Sequence, residues 1–285
     1  MPAVTETSSI VIRDIDGSAE MRAVEELQQE VWGLPDLDIV PLTQLVAAKA
    51  AGGVLLGAFD HESLIGFAYG FVSYENGEMA HHSHMLAVKP AYRNFNLGHK
   101  LKLAQRERLL VQGITMMTWT FDPLQSLNAY FNFSKLGVVS DRYLINFYGN
   151  DAASFLLRNG TDRLWVTWLL TSRRVHERLD KTGFNLEFEL VIPLVQLGRD
   201  DSPRTNNLDE GLSHDQTLIE IPADINALER QSSELAFKWR EATRWAFNEA
   251  IAAGYLVVDF SRQSRGDQRF GIYLLSRGKR LDDFV

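Results

Sequence analysis

At 285 residues, 45% hydrophobic and 23% charged, the chain has the composition of a globular protein with apolar material for one large core or two smaller ones. A formal net charge of -8 and a pI near 5.4 exclude the dominant basic field that general nucleic-acid or membrane-surface binding needs, so an anionic ligand requires a local basic site. No cysteine is present, which removes disulfides, thiolate zinc sites and a cysteine nucleophile together. The polar first nine residues do not read as a signal peptide and no apolar run is long enough to span a bilayer. A cytoplasmic location is therefore expected, and the Asn-Gly-Thr at Asn159 is not expected to carry a glycan.

Periodicity predicts a strand over residues 10–15 and a helix over 18–32, capped by Ser18 with Met21, Val24, Leu27 and Val31 on one face. A second helix, 41–51, opens on Pro41. Residues 53–59 and 64–74 are β-rich runs joined by the polar turn 60–63, and Asn76-Gly77 makes the next turn. A third run, 80–88, ends at Pro90 and leads into a helix over about 98–112 with Leu97, Leu101, Ala104 and Val111 along one stripe. Gly113 stands where a helix end takes a left-handed residue. A strand over 115–121, a helix over about 124–136 and strands near 138–148 and 164–170 follow.

The last third differs in composition. Residues 198–215 are rich in Asp, Asn, Ser and Gly and read as an exposed excursion. Beyond it come a strand at 217–221, a long helical pattern over 225–253 with Leu235, Trp239, Ala242, Ala246 and Ala253 on one face, and β-rich runs at 255–260 and 269–275 around a charged loop, 261–268. This order predicts an α/β (α+β) fold with a mostly antiparallel central sheet flanked by helices. Three regions are expected: 8–170 as the main domain, 171–216 as a connecting region with the exposed loop, and 217–285 as a C-terminal helix-hairpin subdomain packed on the core.

The stretch that carries chemistry is the β-run ending at Val88, its Asn- and Gly-containing loop, and the amphipathic helix that begins there. Such a junction aims unpaired N–H groups and the positive end of a helix at one point, which makes an anion site. Local charge agrees: between Lys89 and Arg108 stand six basic residues (Lys89, Arg93, Lys100, Lys102, Arg106, Arg108) and one acid, Glu107. A plain strand-to-helix connection with a solvated basic face is the alternative.

Within that stretch, Val88-x-Pro90-x-Tyr92-Arg93-x-x-Asn96-x-Gly98 resembles motif A of the GNAT acetyltransferases, Arg/Gln-x-x-Gly-x-Gly/Ala after a strand. Asn96 replaces the first glycine, and asparagine tolerates positive φ better than other non-glycine residues. Downstream, Ala129-Tyr-Phe-Asn-Phe133-Ser-Lys135-Leu-Gly137 resembles the family's motif B, Asn-x-x-Ala-x-x-x-Tyr-x-Lys-x-Gly-Phe, with Ser126 at the Asn position and Phe133 in place of the tyrosine that protonates the departing thiolate in many members. The resemblance covers roughly residues 8–170. It implies a GNAT-like sheet, acetyl-CoA or another acyl-CoA as co-substrate, main-chain pairing of pantetheine with Leu86 and Val88, and pyrophosphate held by Asn94, Phe95, Asn96, Leu97, Gly98 and His99, with Arg93, Lys100 or Lys102 and Ser126 contributing. The activity it implies is direct N-acyl transfer to an amine of a small molecule or peptide.

That reaction needs a base, and many members place a Glu on the motif A strand. Residues 80–88 contain no acid and offer His81, His82 and His84 instead. Imidazole titrates in the right range. Alternation puts His82 and His84 on one face and His81 on the other. These histidines can equally fill a polar cleft, and a His-x-His pair can bind a metal, although no third ligand is evident and none is expected. Tyr130, three residues before Phe133 on the same helix, is the candidate acid, with packing as its competing role. Asp122, before Pro123, is a candidate for binding a substrate cation or a helix cap. No nucleic-acid or membrane partner is expected, and a homodimer stays open. A GNAT scaffold that binds acyl-CoA without transferase activity is the rival reading, since Asn96, Ser126 and Phe133 all depart from the family pattern.

Overall fold

The computed structural model describes residues 10–149, 159–180 and 191–284, so the N-terminal stretch read above lies outside the described residues. Two compact units emerge, one of the described residues up to Trp119 and one of those from Thr120 on. The boundary falls inside the 8–170 stretch taken as one domain from the sequence.

In the first unit, β1 (Val11–Asp14) leads to α1 (Gly17–Trp32) and α2 (Leu42–Ala50), followed by β2 (Leu55–Asp60), β3 (Ser63–Glu75) and β4 (Glu78–Val88). A 3-10 turn (Pro90–Phe95), α3 (Leu97–Val111) and the start of β5 (Met116–Phe121) complete it. The cap of α1 is Asp16 rather than Ser18, because the Glu20 carboxylate reaches back to the Asp16 N–H (2.9 Å) while pairing with Arg13 (2.6 Å). Sheet order is β1-β2-β3-β4-β5, antiparallel except for the parallel β4/β5 pair. The β3–β4 turn has Asn76 at φ 53 and Gly77 at φ 86, the two left-handed residues that a tight hairpin needs. Met21, Val24, Leu27, Leu45 and Ala48 of α1 and α2 pack on Leu55, Phe59, Phe67, Tyr69 and Ala87 of the sheet.

The second unit carries α4 (Ser126–Ala129), which runs into π-helical turns (Tyr130–Leu136), then β6 (Val139–Leu144), β7 (Arg163–Leu169) and α5 (Arg173–Leu179). After these come β8 (Val195–Leu197), β9 (Pro203–Thr205), α6 (Leu208–Gly211), β10 (Gln216–Pro222), α7 (Ile225–Gln231), α8 (Ser233–Ala252), β11 (Tyr255–Arg265) and β12 (Gln268–Arg277). Its sheet runs β7-β6-β11-β12-β10-β8-β9, with β8/β10 the parallel pair among its described registers.

Three expectations are corrected here. The pattern over 225–253 breaks at Ser232, whose extended backbone and hydroxyl, accepting from Leu235 N (3.2 Å), start a new helix. Residues 261–265 continue β11 instead of forming a loop, and the hairpin turns at Gly266 (φ 60) and Asp267. The 198–215 excursion contains β9 and α6.

Residues from 217 on share the second unit with the motif B segment. Phe133 meets Tyr273 edge to face (5.8 Å), Tyr143 stacks on Phe247 (5.4 Å), and β11 pairs β6 at Val257 and Ser140. A chain ending at Arg199 would expose Phe133 and Tyr143 and lose partners each contributing about 1.5–3 kcal/mol by burial. It is expected to elute as aggregate in size-exclusion chromatography. A monomeric fragment with a cooperative melt would contradict this.

Candidate functional site

Strand β4 pairs with β5 at two positions, His81 with Met117 and His82 with Thr118, and His82 Nδ1 lies 3.1 Å from Thr118 Oγ1 across the second. Beyond His82 no further register with β5 occurs among the described residues, and β4 continues alone on that edge to Val88. On its other edge β4 stays paired with β3, where Lys89 N donates to Ile65 O (2.9 Å). Antiparallel ladders alternate, so Ala87 turns its main-chain groups toward Phe67, while Leu86 and Val88 turn theirs toward the unpaired edge.

A β-bulge interrupts this ladder. Tyr69 faces Met85 and Phe71 faces His82, so Ser83 and His84 together oppose Gly70. Gly70 exchanges both its main-chain bonds with Val54 (3.0 and 3.1 Å), and a Cβ there would stand 2.3 Å from His81 Nε2 and 2.5 Å from His82 O. Only glycine lets the strands approach so closely.

The bulge resets the alternation. Met85 and Ala87 face the α1–α2 core, whereas a Cβ on Gly98 of α3 would lie 3.8 Å from Leu86 Cδ2, which puts Leu86 on the opposite face. His82 and His84 share a face as expected: both pack against Phe71 (5.5 and 5.8 Å), 6.4 Å from each other, with Tyr69 6.1 Å from His84. His84 is exposed, yet protein surrounds enough of its ring for desolvation to lower its pKa. His82 is buried. Among the described residues no group of three or more His, Asp or Glu gathers to hold a metal ion.

His81, on the other face, is fully buried, and neither ring nitrogen has a hydrogen-bond partner. Desolvation, then the neighbouring Lys102 and His82, push its pKa down to about 3.

The loop after β4 ends at Asn96, which adopts the left-handed conformation (φ 57, ψ 26). Helix geometry leaves the N–H groups of Leu97 and Gly98, at the start of the first turn, without intrahelical partners. Leu97 is buried, Gly98 and His99 are half-buried, and Arg93, Asn94, Phe95, Asn96 and Lys100 are exposed around that turn. Gly98 has an ordinary helical φ, and its Cβ would meet only Leu86, so packing does not require glycine there.

Only part of the basic excess remains available. Lys89 pairs with Glu30 (2.9 Å) and Arg108 with Asp14 (2.9 Å). Lys102 is corrected as a phosphate ligand: it is 2% exposed and points into the sheet. The predicted stripe of α3 is corrected with it. Val111 is 89% exposed, and the buried face is Leu97, Leu101, Lys102, Gln105 and Leu109.

In the second unit, Ser126 and Phe133 are buried, with Phe133 edge-on to Phe121 (6.3 Å). Tyr130 does not share the face of Phe133. The π turns advance each residue by less than an α-helix does, so three residues no longer bring the chain back to one side, and Tyr130 is 36% exposed where Phe133 is 0% exposed. The Asp122 carboxylate accepts from Leu124 N (3.0 Å) and pairs with the buried Arg240 (2.9 Å). A substrate ammonium would have to compete with that guanidinium. Arg240, 118 positions downstream, could not be linked to Asp122 from spacing.

The buried imidazole has a consequence for acid stability. The folded state keeps His81 neutral where the unfolded chain, with a pKa of about 6.5, takes a proton. Stability present above pH about 6.5 is therefore lost as pH falls toward 3, by on the order of a few kcal/mol. His81→Leu is expected to flatten this fall when urea unfolding is compared at pH 7, 5.5 and 4. An unchanged pH dependence would place the acid-sensitive group elsewhere.

Neither a protein-family model nor a curated protein matches the chain. Solved structures similar to it include the Escherichia coli ribosomal-protein-S18-alanine N-acetyltransferase, at 15% identity and TM-score 0.46, covering 63% of this chain and 99% of that one. An aminoglycoside 6'-acetyltransferase type Ii is similar at 19% identity and TM-score 0.46, covering 57% of this chain and 99% of that one. An aminoglycoside 6'-N-acetyltransferase complexed with coenzyme A stands at 16% identity and TM-score 0.43, covering 57% and 98%.

Proposed function

We propose that the chain is an acyl-CoA-dependent N-acyltransferase of the GNAT type that transfers acetyl or a related acyl group directly to an amine of a small molecule or peptide. The observation that carries the reading is the open edge of β4. Leu86 and Val88 turn main-chain donors and acceptors outward there, as a pantetheine amide needs, and the edge leads into a loop whose left-handed Asn96 delivers the chain to the N-terminus of α3. Gly98 fits the same account, since its smallness answers no packing need within the protein. Arg93 and Lys100 supply exposed charge beside that turn for the phosphates.

In this reading His84 is the base. The amine nitrogen attacks the thioester carbon and its proton passes to the imidazole. The carbon–sulfur bond then breaks, and its electron pair leaves on the sulfur of coenzyme A. Desolvation favours the neutral, proton-accepting form of His84 at neutral pH. His82, buried and 3.1 Å from Thr118 Oγ1, supports the strand on which His84 stands.

Acetyl-CoA is expected to raise the melting temperature, with about 2.7 kcal/mol of stabilisation at a hundredfold excess over its dissociation constant. Gly98→Val is expected to abolish that shift, because in this reading a branched side chain crowds the first turn where phosphate and main chain approach, although a Cβ at this position meets only Leu86 within the protein (3.8 Å). Retained binding in this variant would remove the loop from the site. Binding without turnover across peptide α-amines, alkylamines and amino sugars would favour the rival, an acyl-CoA-binding protein.

For an accepted amine, kcat/KM is expected to rise with pH through an ionisation below the ordinary histidine value, separate from that of the amine itself. His84→Gln is expected to remove that ionisation and lower the rate about 10²- to 10⁴-fold with coenzyme A affinity unchanged. Wild-type activity in His84→Gln, or parallel loss of rate and affinity, would exclude it as the base.

A further inference from the structure

Helix α3 presents an apolar face to the sheet through Leu97, Leu101 and Leu109, yet two polar side chains, Lys102 and Gln105, lie in the same buried stripe. Both converge on the bulge of β4. Lys102 Nζ donates to Ser83 Oγ (2.8 Å), and Ser83 Oγ donates to Gln105 Oε1 (2.9 Å). The same Nζ lies 3.7 Å above the centre of the Trp119 ring and 3.9 Å from Met117 Sδ, both on β5 at the place where it parts from β4.

A lysine buried on an apolar helix face is costly, and here desolvation pushes its pKa well below the ordinary value. A leucine or methionine would fill the volume more cheaply. What a leucine cannot do is hold Ser83, one of the two β4 residues that stand opposite Gly70 at the bulge, immediately before His84. The register beyond the bulge is fixed from the other face, because Met85 and Ala87 are packed in the α1–α2 core. The bulge itself has only Gly70 opposite it, whose main-chain groups bond Val54.

We propose that Lys102 is a positioning residue. With Gln105 it pins Ser83, and thereby fixes the bulge that aims His84, while the open edge at Leu86 and Val88 is held separately by Met85 and Ala87 in the core. Its effect on rate rests on the acyltransferase reading, whereas the pinning is a property of the free chain and is measurable without any ligand.

The test uses the full-length protein with Lys102→Met, which keeps the apolar stem and removes the donor, and with Ser83→Ala, which keeps the lysine and removes its partner. Hydrogen–deuterium exchange is expected to accelerate in both variants over residues 82–86, with β2 and the α1–α2 core unchanged. Acetyl-CoA affinity by calorimetry is expected to stay within about twofold, while kcat with an accepted amine falls about 10- to 100-fold, the cost of a misplaced reacting group. Thiol release can be followed with a disulfide reagent, since a cysteine-free chain adds no background. Wild-type exchange over 82–86 in both variants would overturn the proposal. So would rate and affinity falling together, or a general rise in exchange, because Lys102 would then be supporting the fold as a whole. If the wild type bound no acetyl-CoA, the acyltransferase reading would fail, while the exchange pattern would still decide whether Lys102 pins the bulge.

Discussion

The first unit's candidate site depends on one mismatch in strand count: two residues of β4, Ser83 and His84, stand opposite the single residue Gly70 of β3. A regular ladder would keep His84, Leu86 and Val88 on one face. With the extra residue the phase shifts, so His84 stays with Phe71 and Tyr69 while Leu86 crosses to the α3 side. The strand can therefore present an imidazole on one face and still give Met85 and Ala87 to the core on that same face. A bulge bends and twists its strand, and just before it the β4/β5 register ends at His82 and Thr118. The open edge and the aim of the histidine thus have a common origin, which requires a glycine at position 70 because a side chain there would collide with His81 and the His82 carbonyl.

Charge in the loop region is sparser than a count suggests. Six cations between Lys89 and Arg108 look like a strong local field in an acidic chain. Two of them are neutralised by Glu30 and Asp14 and one is buried. Exposed ion pairs of this kind contribute about 0–1 kcal/mol each to stability, so they organise the α3 surface more than they hold it down. The remaining field at the helix start comes from Arg93, Lys100 and the main-chain N–H groups of the first turn.

Local rules carried the sequence reading far where the cause is local. The Asn76-Gly77 turn, the left-handed Asn96, the helix spanning residues 97–111 and the shared face of His82 and His84 all follow from residue type and spacing. What escaped depends on contacts between distant residues or on one inserted residue. The bulge needs Gly70 and Ser83 considered together, and nothing in the run His81-His-Ser-His84 marks it. Lys102 looked like a surface cation because lysine normally is one, and only Ser83, Met117 and Trp119 reveal why it turns inward. The π turns after Ala129 broke the spacing that linked Tyr130 to Phe133, and the partner of Asp122 lies on α8. One clue was available: an amphipathic stripe drawn through Leu97, Leu101 and Leu109 at four-residue spacing includes Gln105 and excludes Val111.

Under the proposed function, the buried Phe133, where the motif that its segment resembles carries a tyrosine, bears on how much chemistry the site needs. For an acyl transfer from a thioester, the departing thiol has a pKa of about 8.5 and the attacking alkylamine one of about 10.4. The sulfur therefore leaves more readily than the ammonium gives up its proton, and an alkylamine near pH 7 is neutral in only about one molecule in 2,500. A base restores far more rate than an acid does under those conditions. A peptide α-amine, with a pKa of about 8, is neutral in roughly a tenth of molecules and gains less from the base. Under the proposed function the two proton transfers are therefore served unequally: the strand offers a neutral imidazole at His84 for the base, while the buried Phe133 offers no acid for the thiolate.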